Sequence, residues 1–237
     1  MTNCKSCNSE VTQNFCPNCG LSANLKRING HYITHEIEHV LHFEKGILYT
    51  IKELLIRPGE SIRRFISEDR SKLVKPVIFI VITSLIYTII FHYFKLESTI
   101  NSALPADSTA AKLEKWTLNH LGYSNILMGA LIACYIKLFF RKSSYNFFEI
   151  VILLCFVMGI GMLFIALFLV IEGITHIDLK TIGTIIAFGY CSWAIAQFYG
   201  GKKWTTYLKA FTAYVLGGLS YTLLSMLIGG LVDLVIK

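Results

Sequence analysis

Charged residues are scarce in this chain. Only 16% of its 237 residues are Asp, Glu, Lys or Arg, whereas 54% are hydrophobic and the mean hydropathy is +0.56. Soluble proteins carry about 25% charged residues, so this composition excludes a soluble globular protein and indicates that most of the chain lies in a bilayer. Acidic residues are the scarcer kind, because 22 Lys and Arg oppose 15 Asp and Glu and give a net charge of +7.

The N-terminus lacks a secretory signal. Met1 leads into polar, cysteine-rich sequence instead of a basic region followed by an apolar core. We therefore expect the first residues to stay in the reducing cytoplasm. The basic residues flank apolar segments instead of forming a patch of their own. This placement predicts contact with anionic lipid headgroups, and we expect no nucleic-acid partner.

Four of the seven cysteines lie within the first twenty residues, at Cys4, Cys7, Cys16 and Cys19. They form two Cys-x-x-Cys pairs separated by eight residues, a spacing that places four thiolates around one tetrahedral Zn²⁺. The alternative, two redox pairs, requires a flanking strand-helix unit that the sequence does not contain. Four protein ligands leave no open coordination position. The pattern therefore predicts a structural zinc ribbon over residues 1–24.

A histidine-rich segment follows a short polar linker. On a helix, its four histidines fall within roughly an 80° stripe. His35 to His39 matches H-E-x-x-H, with Glu36 in the place of a general base, so a membrane metalloprotease is one hypothesis. Two others are an interfacial helix and a second metal or pH-sensing site. The candidate residues of that second site are His31, His35, Glu38, His39 and His42.

Residues 25–75 otherwise have an amphipathic pattern. One helix is predicted from Ile47 to Leu55, the sequence Arg57-Pro58-Gly59 predicts a turn, and a second short helix is predicted over 61–69. These segments are too short and too charged to cross a bilayer. We expect them to lie on the inner leaflet with their apolar sides toward lipid.

Five apolar runs follow, each close to or above the roughly 20 residues that cross a bilayer. They cover residues 76–94, 123–140, 147–171, 181–199 and 208–236. The second run is the weakest, and a four-span protein results if that run is re-entrant. Basic residues alternate with balanced or acidic loops in the pattern that five spans require. The sequence therefore predicts a multi-pass membrane protein with its N-terminus in the cytoplasm and its C-terminus on the outer side.

The predicted fold is an all-α membrane protein with a five-helix transmembrane bundle, amphipathic juxtamembrane helices and a small N-terminal zinc ribbon. A further short surface helix is expected over 112–120, in the loop between the first two spans. Ionisable residues are lacking in the middle of the spans, and Gln197 is the main polar residue there. This lack disfavours an active transporter. Glycines in the last three spans favour close helix packing or self-association.

The N-terminal part of the chain resembles a family of uncharacterised bacterial zinc-ribbon membrane proteins, the domain of unknown function DUF3667. The resemblance covers residues 1–95, and its most specific positions are Thr50 to Leu55 and Arg57-Pro58-Gly59. The chain departs from the family pattern at 67–70, where similar proteins tend to be more basic and to have a glycine. The resemblance implies the architecture and a bacterial inner membrane, with the C-terminus in the periplasm, and it implies no activity.

The leading functional hypothesis is a non-enzymatic membrane protein. Its cytoplasmic ribbon and histidine-rich helix recruit or sense a protein partner, a metal or protons, and its bundle anchors the chain or forms a homo-oligomer. A channel or transporter for a small solute is the alternative. The metalloprotease is the third hypothesis.

Overall fold

The computed structural model describes residues 2–11, 14–22, 46–94, 108–201 and 203–236. Helices dominate these residues, and the only strands among them are two short ones near the N-terminus. The elements are β1 (Thr2–Asn3), β2 (Glu10–Val11), α1 (Ile47–Ile56), α2 (Pro58–Ser67), α3 (Pro76–Tyr93), α4 (Thr109–Asn119), α5 (Leu121–Phe139), α6 (Phe147–Thr175), α7 (Lys180–Phe198) and α8 (Trp204–Ile236). The predicted all-α membrane class is confirmed.

Five of the helices are long and apolar enough to cross a bilayer, namely α3, α5, α6, α7 and α8. The weakest predicted span, α5, is a continuous helix of 19 residues. At 1.5 Å per residue it measures about 28 Å, close to the thickness of the hydrocarbon core. The chain is therefore a multi-pass membrane protein with five candidate spans. The last span, α8, begins at Trp204, four residues before the predicted start.

Helix α6 lies at the centre of the bundle and packs against α3, α5 and α7. In its most apolar window, 72% of the residues are buried, whereas the corresponding share in α8 is 11%. The long α8 packs against α5 and α7 along one side and also contacts the short α4. There the backbone N–H and the hydroxyl of Thr109 donate to the Asp233 carboxylate. The predicted surface helix thus begins at Thr109, three residues earlier than expected.

Helices α1 and α2 follow each other with only Arg57 between them. The predicted end of the first helix at Arg57 is confirmed, since α1 ends at Ile56. The predicted start of the next helix at 61 was wrong, because Pro58 is the first residue of α2. Proline suits this position, since the first helical N–H has no acceptor inside the helix. The Leu54 carbonyl lies in the last turn of α1, where a helix has no further N–H to donate to it. The hydroxyl of Tyr190, on α7, donates to that carbonyl at 2.9 Å.

The apolar side of α2 packs against the bundle. Ile62, Phe65 and Ile66 are buried, and the Phe65 ring meets Phe156 of α6 edge-on, with ring centroids 5.3 Å apart. The expectation that this side lies on lipid was therefore wrong for α2. Helix α1 differs, because Leu48 is 77% exposed along with several other apolar side chains.

Candidate metal centre

Each Cys-x-x-Cys pair lies in a loop closed by antiparallel pairing. Asn3 of β1 lies opposite Glu10 of β2, and Phe15 forms an isolated bridge with Ser22. In both loops the paired residues directly precede the first cysteine and follow the second cysteine by three positions. The two loops therefore have the same length and the same register.

Backbone hydrogen bonds repeat between the two loops. In the first, the N–H of Cys4 donates to the Ser9 carbonyl at 2.8 Å, and the N–H of Asn8 donates to the Cys4 carbonyl at 2.9 Å. In the second, the N–H of Cys16 donates to the Leu21 carbonyl at 2.7 Å, and that of Gly20 to the Cys16 carbonyl at 2.9 Å. Both loops turn through a left-handed residue, since φ is 60° at Asn8 and 71° at Gly20. Asparagine and glycine tolerate this conformation best.

The two loops bring four sulfur atoms together, all within 4.8 Å of one another. Cys4 Sγ lies 3.5 Å from Cys19 Sγ, and Cys7 Sγ lies 3.5 Å from Cys16 Sγ. A tetrahedral ion with metal–sulfur bonds of about 2.3 Å requires sulfur–sulfur separations of about 3.8 Å. The four cysteines predicted as ligands therefore fit the coordination sphere of one metal ion.

Ser9 contacts two of the sulfurs. Its hydroxyl oxygen lies 2.9 Å from Cys7 Sγ and 3.0 Å from Cys16 Sγ. These contacts lower the pKa of Cys7, and they lower the pKa of Cys16 to about 6. The pKa of Cys19 is raised to about 12, because burial and the neighbouring thiols outweigh the backbone N–H of Leu21, which lowers it. Metal ligation requires thiolates, and Ser9 favours the thiolate form at two of the four positions.

The cysteine cluster contacts the juxtamembrane segment. Ser6, between Cys4 and Cys7, donates its hydroxyl to Asp69 Oδ2 at 3.4 Å. Asp69 lies just after α2 and is only 4% exposed. Burial raises the pKa of this carboxyl, but hydrogen bonds from the hydroxyl and N–H of Ser71, at 2.6 and 2.8 Å, together with Lys72, outweigh it and lower the pKa. Asp69 is therefore a charged acceptor between the cysteine loops and the bundle.

Arg63 of α2 caps the end of α7. One guanidinium nitrogen, Nη1, donates to the Gln197 carbonyl at 2.6 Å and to the Phe198 carbonyl at 2.9 Å. The N–H groups of Gly200 and Gly201 bond the Gln197 and Ala196 carbonyls and close the last turn of α7. Arg63 thus gives the Phe198 carbonyl a hydrogen-bond donor and places a positive charge at the negative end of the helix dipole.

Two further features fix α1 and α2 to their neighbours. Gly59 packs so closely on α7 that a Cβ there would lie 2.6 Å from the Phe198 backbone nitrogen and nearer still to the Gln197 carbonyl. The buried Thr50 hydroxyl accepts the N–H of Val74 at 3.0 Å and so holds α1 against the segment that leads into α3. The Thr50 to Leu55 and Arg57-Pro58-Gly59 positions therefore have packing and hydrogen-bonding roles.

The remaining predicted site residues have different outcomes. The candidate second metal or pH-sensing site and the H-E-x-x-H match both lie outside the described residues. Their residues are His31, His35, Glu36, Glu38, His39 and His42. Gln197, the polar position at issue for a channel, donates its side-chain amide to the Tyr207 hydroxyl at 3.1 Å. Sequence reasoning missed Ser9, Arg63 and Asp69. Asp69 had a signal, because it lies in the stretch where the chain departs from the family pattern.

Comparison with known proteins finds similarity to a protein family over part of the chain. No curated protein and no solved structure matches the chain. The matched residues, 44–88, contain α1, α2, the connecting residues with Asp69 and most of α3. The cysteines lie outside this range. Over residues 44–88 the predicted resemblance is confirmed, and there the chain is similar to the family described as protein of unknown function (DUF3667).

Proposed function

We propose that this chain is a non-enzymatic bacterial inner-membrane protein whose cytoplasmic zinc ribbon reports its metal state, or the binding of a partner, to the transmembrane bundle. The observation that carries the proposal is the hydrogen bond from Ser6, between two cysteine ligands, to the buried Asp69 at the end of α2. Because α2 also caps α7 through Arg63, the path from the ribbon into a span is short.

Zinc is the proposed ion. Four thiolates in a tetrahedral arrangement suit Zn²⁺ or an iron–sulfur centre, and the sulfur separations of 3.5 to 4.8 Å suit a single ion. A site with four protein ligands leaves no position for a substrate, which supports a structural role. Zinc held there joins the two loops, each of which has little apolar core of its own.

The proposed orientation places the ribbon, α1 and α2 in the cytoplasm. The start of α3, the end of α5 and the end of α7 all belong to the end of the bundle that α2 contacts. Arg141 and Lys142 lie in the loop after α5, and Lys203 lies in the loop after α7. Their positions at this end support a cytoplasmic assignment by the positive-inside rule.

Metal content of the purified full chain tests the zinc proposal. We expect one zinc per chain, lost in the Cys16→Ser variant and retained in Cys134→Ser, whose exposed cysteine lies on α5 away from the cluster. Zinc content that is insensitive to Cys16→Ser, or iron in place of zinc, would contradict the proposal. A variant with His35→Ala, His39→Ala and His42→Ala measures the second site: a fall from two zinc ions to one reveals it, and an unchanged value of one excludes it.

Hydrogen exchange tests the coupling. We expect chelation of the metal to speed amide exchange over residues 68–75, next to Asp69, and to leave residues 176–179 at the far end of the bundle unchanged. Ser6→Ala is expected to speed amide exchange over residues 68–75 to the same extent while the metal is still bound. Lys5→Ala is the matched control, because its exposed side chain lies in the same loop. Equal exchange over 68–75 with and without metal in the unmodified chain would refute the coupling.

A further inference from the structure

A groove opens beside the end of α7, between the loop after α5 and the start of α8. Its volume is about 840 Å³, large enough for a lipid headgroup. Basic side chains from the loop after α5, the loop after α7 and the first turns of α8 line it, namely Arg141, Lys142, Lys203 and Lys209. It lies far from the cysteine cluster in sequence and shares no residue with it.

The groove carries an excess of positive charge at its surface, although the buried carboxyl group of Glu149 interacts electrostatically with Tyr145 and Tyr199, two of its lining residues. Among its described lining residues there is no Asp or Glu, and none of the four basic side chains forms an ion pair within the described ranges. Hydroxyl groups of Ser143, Thr205 and Thr206 also line the groove. Several cations with hydroxyl donors and no acid form a binding site for a phosphate group.

The floor of the groove is built from packed aromatic rings. Phe140 stacks on Tyr199 with ring centroids 4.0 Å apart, and Tyr145 packs on Phe198 at 4.4 Å. The loop is also fixed by Lys137, whose ammonium donates to the Tyr145 carbonyl at 2.6 Å. The groove is therefore preformed, and a ligand does not have to order it.

The depth of the groove indicates where the phosphate comes from. Its basic residues lie where α5 and α7 end, which is the level of the headgroups if these helices span the hydrocarbon. Leu138, on the same rim, is 46% exposed and offers an apolar surface for an acyl chain. We propose that the groove binds the phosphate headgroup of an anionic phospholipid. This site does not depend on the proposed role of the zinc ribbon.

Native mass spectrometry of the full chain in neutral detergent tests the proposal. Phosphatidylglycerol and phosphatidylcholine with the same acyl chains are the two probes, and we expect retention of the anionic lipid. Each basic residue near anionic lipid contributes about a fivefold gain in affinity. The Lys203→Gln, Lys209→Gln double variant should therefore bind phosphatidylglycerol about 25-fold more weakly. Replacing both lysines by arginine should preserve binding.

The control variant is Lys112→Gln with Lys115→Gln, which removes the same charge from exposed positions on α4. It should bind like the unmodified chain. Equal loss in the groove and control variants, or equal retention of the two lipids, would overturn the proposal. Displacement of phosphatidylglycerol by millimolar glycerol phosphate or inorganic phosphate would identify a free phosphate ligand instead. Displacement by polyglutamate would identify a general polyanion surface, and either result refutes the lipid assignment.

Discussion

Helices α1 and α2 have ten residues each and are separated only by Arg57, yet the more hydrophobic of the two is the less buried. Seven residues of α1 (ILYTIKELLI) are hydrophobic and only two are buried, whereas three residues of α2 (PGESIRRFIS) are hydrophobic and six are buried. Composition alone therefore assigns the wrong helix to the protein interior.

The difference lies in how each helix fits its neighbour. Helix α2 approaches the end of α7 at Gly59 and supplies Arg63 as a donor to the Gln197 and Phe198 carbonyls there. Helix α1 makes fewer such contacts and leaves Leu48 and Ile56 exposed, at 77% and 62%. An apolar surface of this kind suits a helix at the membrane interface. Shape and polar complementarity, more than apolar content, thus determine which helix docks on the bundle.

The largest expected effect comes from closing the space at Gly59. Gly59→Ala places a methyl group against the backbone of Gln197 and Phe198, which cannot rotate away as a side chain can. We expect a loss of about 3 kcal/mol in the free energy of unfolding, the upper range for overpacking. Unfolding by SDS in mixed micelles, followed by tryptophan fluorescence, measures it.

Gly46→Ala is the matched control for Gly59→Ala. Gly46 directly precedes α1, and a Cβ there would have no neighbour nearer than 4.0 Å. Its substitution should change stability by less than about 0.5 kcal/mol. Equal losses in the two variants would show that α2 is no more tightly docked than α1.

Arg63→Met should have the next largest effect. Methionine keeps much of the apolar stem of arginine but donates no hydrogen bond, so the Phe198 carbonyl loses its guanidinium donor. An unsatisfied buried carbonyl costs about 2 kcal/mol. The adjacent Arg64→Met is the control, since Arg64 is exposed and its ion pairs within the described residues are surface pairs with Glu60 and Glu68. If both variants unfold at the same SDS fraction, Arg63 does not cap α7 in solution.

The features that the sequence predicts well are local in the chain. The five spans follow from continuous apolar runs, and the cysteine cluster follows from two short spacings, because each loop closes on itself within a few residues. The contacts that join these parts are not local: Ser6 and Asp69 are 63 residues apart, and Arg63 and Phe198 are 135 apart. The spacing of apolar residues along the sequence does not indicate which helix end a particular arginine will cap. The histidine stripe stays a prediction.

Tyr190→Phe should have the smallest effect, and it tests how firmly α1 is held on α7. It removes only the hydroxyl that donates to the Leu54 carbonyl, a group in the last turn of α1 that has no donor inside the helix. We expect a loss of about 1 kcal/mol in the same SDS titration. Tyr49→Phe on the exposed side of α1 should change nothing measurable, since that side chain is 48% exposed. A cost no larger than that of Tyr49→Phe would mean that the Tyr190 hydroxyl does not hold α1 on the bundle.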